Sequence, residues 1–115
     1  MPHAVTHFEI GGPDASALQA YYRELFGWAI DADNPMNYGM VSPTAPGIGG
    51  GIGPTPDNGP HVTFYVETDD LQASLDKAEA LGGKTVMPPM DVPDGPTIAM
   101  FADPAGNIIG LAKSM

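Results

Sequence analysis

Cysteine is missing altogether from this chain. That excludes disulfides, thiolate zinc sites and cysteine nucleophiles, and it leaves His, Asp, Glu and water as the only candidates for holding a metal. Basic residues are nearly as scarce: four Lys and Arg stand against fourteen Asp and Glu, a net charge of -10. Such a field repels phosphate backbones and anionic head groups, so neither nucleic acid nor a membrane is expected as a partner. No apolar run approaches the roughly 20 residues of a spanning helix. The opening MPHAVTHFEI has neither a basic nor an apolar leader region, and a cytoplasmic location is the expectation.

What the chain does have is punctuation. Fifteen glycines and thirteen prolines in 115 residues call for many short elements joined by turns, and 43% hydrophobic residues suffice for a modest core. THFEI, from Thr6, alternates His7 and Glu9 with Phe8 and Ile10, the period-2 pattern of a half-buried strand. HVTFYVE, from His61, repeats it: His61, Thr63, Tyr65 and Glu67 share one face, and Val62, Phe64 and Val66 the other.

A helical pattern follows each strand. In the first, Asp14 or Ser16 is the N-cap, Leu18, Tyr21 or Tyr22, and Leu25 form the inward stripe, and Gly27 ends the helix. In the second, Asp69 or Asp70 is the cap, Leu71, Leu75, Ala78 and Leu81 the stripe, and Gly82 the stop. Short β-like runs come next: WAID, NYGMVS and GIGGGIG, then KTVM, TIAMFA and NIIGLA. His7 and His61 are 54 positions apart and Gly27 and Gly82 are 55 apart, which marks a duplication with almost no slippage.

The expected fold is α+β: two tandem βαβββ modules forming curved mixed sheets around a cavity, with helices on the outer face. The chain reads as one domain over 1–115, with module 1 at about 4–53, PTPDNGP at 54–60 as linker, and module 2 at about 61–114. Too few large apolar residues occupy the histidine-bearing faces to make a second core, so those faces are expected to line a ligand-sized cavity. GIGGGIGP lacks the helix and the GK[ST] ending of a phosphate loop, and its glycines instead mark a bulge, a close backbone approach or an opening for ligand.

The His7 strand followed by Tyr22 in AYYRELFGW, His61 in HVTFYVETDDL, and the DPAGN turn at Asp103 to Asn107 before IIGL together resemble the vicinal oxygen chelate superfamily. It contains glyoxalase I, extradiol dioxygenases, fosfomycin-resistance enzymes and bleomycin-binding proteins. The stretch from Val86 to Leu111 is similar to its glyoxalase-like group. In metal-dependent members each module supplies one ligand from its first strand, often His, and one from its last, often Glu. His7 and His61 match the first pair. Gly110 stands at the second module's carboxylate position, and the first module's, near Gly51, is also glycine.

Two neutral imidazoles leave a divalent charge unbalanced, so no tightly held metal is expected. The alternative set is His7, His61 and Glu9, which could hold Fe, Mn, Ni or Zn. The reading from sequence is a small-molecule-binding protein with an apolar pocket lined by Met and aromatic side chains, taking an aromatic natural product or antibiotic, with His7, Glu9, His61, Tyr65, Met40 and Met100 as contacts. The competing reading is an enzyme, a metal-dependent lyase, isomerase or dioxygenase or a metal-free acid-base catalyst, with His7, His61 and Glu9 as catalytic candidates. The resemblance also implies a homodimer.

Overall fold

The two aspartates that open the helical patterns do cap helices. In a computed structural model of the chain, which describes residues 2–44, 46–93 and 95–114, the Asp14 carboxylate accepts from the Ala17 N–H and that of Asp70 from the Ala73 N–H, both at 3.0 Å. Gly27 closes the first helix in the left-handed region, φ 69°, and its N–H donates to the Arg23 carbonyl at 2.8 Å. Leu81 and then Gly82, at φ 104°, end the second.

The elements follow in the order β1 (Val5–Gly12), α1 (Ala15–Phe26), β2 (Ile30–Asp31), β3 (Gly39–Val41), β4 (Gly49–Pro54), β5 (His61–Thr68), α2 (Leu71–Ala80), β6 (Lys84–Asp91), β7 (Thr97–Ala102) and β8 (Ile108–Lys113). This is a mixed α+β fold of two βαβββ runs. Residues His7–Thr63 form one compact unit, and the chain from Phe64 onward forms the other with the segment up to Thr6.

In the first unit β1 pairs in parallel with β4, β4 antiparallel with β3, and β3 antiparallel with β2. The second unit repeats the plan: β5 parallel with β8, β8 antiparallel with β7, and β7 antiparallel with β6. β6 is an edge strand with register shifts between Thr85 and Met87 and between Met87 and Met90. That is why it tolerates Pro88 and Pro89 and runs on past the predicted KTVM.

The core of the second unit is Leu71, Leu75, Ala99 and Leu111, with Val66 and Phe101 against it. Leu71 and Leu75 point inward as the periodicity predicts, but Leu81 is exposed because the helix has already ended at Ala80. In α1 the buried line is Ala15 and Gln19, while Tyr21 and Leu25 face out. Gln19, only 2% exposed, earns its place by donating from its amide to the Ile52 and Asn37 carbonyls at 2.8 and 3.0 Å. Tyr22, Phe26, Trp28 and Phe8 make a chain of ring contacts with centroids 5.1 to 6.1 Å apart.

Candidate functional site

Period 2 on β1 puts His7 and Glu9 on one face. Parallel pairing sets them opposite Gly49 and Gly51 of β4. Gly51 is in turn opposite Met40 of β3, so Met40 shares the face of Glu9 and is 49% exposed. These glycines leave the face without side chains along β4, and one ring from the preceding loop fills the space.

That ring is Tyr38. The segment Asn34 to Tyr38 is pinned by an Asx turn: the Asn34 Oδ1 accepts from the N–H groups of Met36 and Tyr38, and its Nδ2 donates to the Tyr38 carbonyl at 2.7 Å. Asn37 adopts φ 52°, a left-handed conformation that Asn tolerates. The phenol then lies over the bare α-carbon of Gly51. A Cβ at that position would fall inside the Tyr38 hydroxyl and ring, so only glycine permits this approach.

Four side chains join there. The Tyr38 hydroxyl donates to Glu9 Oε2 at 3.0 Å, and the His61 Nε2–H donates to Glu9 Oε1 at 3.1 Å. With its single proton on Glu9, the Tyr38 oxygen accepts from His7 Nε2–H at 2.9 Å. The His7 and Tyr38 rings stack at 15° with centroids 6.4 Å apart. Burial holds the His7 imidazole below its ordinary value, opposed by the nearby Glu9 carboxylate. The side chains of His61 and Glu9 keep 30% and 21% of their exposure, so the chain is open at the His61 end.

Of the residues singled out in the sequence, His7, Glu9 and His61 are thus brought together, with Met40 on their face. Tyr65 and Met100 lie in the second unit. There the Tyr65 ring covers the α-carbon of Gly110, where a Cβ would stand 2.5 Å from it, and Tyr65 is 6% exposed; Met100 pairs with Gly110 and with Met87. Tyr38 stands in the NYGMVS run with nothing in its spacing to announce a bond to Glu9. His3, near the N-terminus, donates from Nδ1 to the Glu67 carbonyl at 3.0 Å. It also lines a cavity of about 200 Å³ in the second unit with Val66, Thr68, Ser74, Lys77 and Phe101.

The donors do not fit the divalent centre that the resemblance implies. At the two positions that the resemblance assigns to carboxylates, glycine carries a tyrosine ring packed on its α-carbon, Tyr38 on Gly51 and Tyr65 on Gly110. His7 Nε2 bonds the Tyr38 hydroxyl, and the two Glu9 oxygens accept from Tyr38 and from His61 Nε2. Among the described residues no three His, Asp or Glu side chains are grouped to hold an ion.

A family model described as glyoxalase-like domain matches residues 7–112. "Putative glyoxylase CFP32" of Mycobacterium bovis is 32% identical over 108 residues, covering 85% of this chain and 41% of the relative. The anthracycline biosynthesis protein DnrV of Streptomyces peucetius is 32% identical over 123 residues, 91% of this chain and 45% of the relative. The chain therefore spans less than half the length of these relatives. A solved structure of Streptomyces coelicolor methylmalonyl-CoA epimerase in complex with 2-nitronate-propionyl-CoA shares the fold, with a TM-score of 0.63 at 19% identity and 96% of each chain covered.

Proposed function

The chain belongs to the glyoxalase-like domain family, and from that premise we propose that its His7–Tyr38–Glu9–His61 site binds an oxygenated aromatic small molecule without a tightly bound catalytic metal. One observation carries the reading. The Tyr38 phenol fills the space above Gly51 and ties His7 to Glu9, so the polar groups are satisfied by hydrogen bonds where a metal-dependent relative would use an ion. Met40, exposed on the same face, offers a polarizable apolar contact suited to a planar ligand.

The ligand class draws support from the relatives named for anthracycline biosynthesis, DnrV and DauV, 32% and 31% identical to this chain. A hydroxylated polycyclic quinone presents the oxygen atoms that two imidazoles and a phenol can recognise, on a ring face that Met40 can cover. Titration of metal-free protein with a panel of hydroxyanthraquinones, followed by fluorescence, tests the reading. Micromolar affinity that chelator leaves unchanged is expected. Binding that appears only when a divalent ion is added would refute it. The homodimer that the resemblance implies is part of the same proposal, and sedimentation velocity tests it.

A further inference from the structure

The two oxygens of Glu9 have different partners, Tyr38 on one and His61 on the other. We propose that Glu9 and His61, braced by Tyr38, form a proton-accepting pair that takes the proton of a phenolic or enolic hydroxyl on the bound ligand. The proposal rests on the binding reading above and names the chemical group that the site selects.

His61 Nε2–H donates to Glu9, so in the neutral ring the lone pair is on Nδ1. That bond is the only one the His61 ring makes among the described residues. No buried side-chain nitrogen or oxygen among them lacks a partner, so Nδ1 is not fully buried, on a side chain that keeps 30% of its exposure. A carboxylate on one imidazole nitrogen with the other nitrogen open is the arrangement that orients a general base. Proton transfer breaks the ligand O–H bond and forms N–H at Nδ1. The ring becomes an imidazolium paired through Nε2–H with Glu9 at 3.1 Å, and the ligand stays as phenolate or enolate with no change of oxidation state.

Tyr38 acts through Glu9 and is a positioning residue. By holding Oε2 at 3.0 Å it leaves Oε1 turned toward His61. His7, donating to the Tyr38 oxygen, holds the phenol in that direction.

Two measurements test the pair. Long-range proton–nitrogen correlation spectra should show neutral His61 as the Nε2–H tautomer, and E9Q should mix the tautomers; an Nδ1–H ring in the wild type would overturn the proposal without any ligand. Alizarin, a dihydroxyanthraquinone, should then bind with its phenolate absorbance at a pH where the free dye is neutral. In E9Q the bound dye's ionisation equilibrium should fall about tenfold to a hundredfold, the worth of a charge-assisted hydrogen bond, and in Y38F it should fall by less. Alizarin bound with its hydroxyls intact would remove the proton transfer and leave the binding reading standing. Absence of alizarin binding to a protein with Nε2–H His61 would remove both.

Discussion

At the scale of single residues, the site depends on what Gly51 lacks. A methyl group there collides with the Tyr38 hydroxyl, so G51A must push the phenol off Glu9 and His7. We expect G51A to cost about 1–3 kcal/mol, the usual range for overpacking, and Y38A/G51A to cost less than the sum of its parts because the two share one contact. Urea denaturation of the three variants checks this; full additivity would contradict it. His7 adds a pH dependence. Its folded value is lowered, so the unfolded chain binds the proton more tightly. The stability it contributes is complete above the ordinary value of 6.5 and is lost as pH falls through the lowered folded value. The thermal midpoint should drop on acidification below neutral pH, and H7Q should flatten that drop; equal slopes for the two proteins would remove His7 from the account.

At the scale of elements, the repeated order strand, helix, three strands was legible because a duplication spaced 54 or 55 residues apart fixes it twice, with Asp caps and glycine stops agreeing. The faces of His7 and Glu9 follow from alternation alone. What alternation cannot give is the pairing across strands, and that pairing puts Met40 beside Gly51 and seats Tyr38 over it. Helix periodicity likewise ranks Leu25 above Gln19 for burial, yet Gln19 is inside because two carbonyls need its amide. In α2 the pattern and the packing agree: Leu75 is 1% exposed in the core, and L75A should cost about 2–5 kcal/mol in urea unfolding. A cost near zero would contradict that core. In the turn before β8, the Asn107 side chain, together with the N–H groups of Asn107 and Ala105, holds the Asp103 carboxyl below its ordinary value. N107A should raise it, as read by an NMR titration; an unmoved Asp103 would show that the Asn107 side chain is not the leading cause.

At the scale of the whole molecule, the same plan appears in both units, and in each a tyrosine ring packs on the α-carbon of a glycine that the resemblance aligns with a carboxylate position. The partners differ, since Tyr38 enters from a loop before β3 while Tyr65 belongs to β5, the strand paired with Gly110. The net charge of -10 further favours a neutral or cationic ligand over an anionic one.

The proposed function is recognition of an oxygenated aromatic ligand without a metal. Isothermal titration calorimetry of chelator-treated protein with a hydroxyanthraquinone, repeated after addition of Fe²⁺, Mn²⁺, Ni²⁺ or Zn²⁺ and with H7A/H61A as control, tests it most directly. Saturable micromolar binding that the ions do not change and the control loses is expected. Stoichiometric uptake of an ion by the wild type, with ligand binding only in its presence, would contradict it.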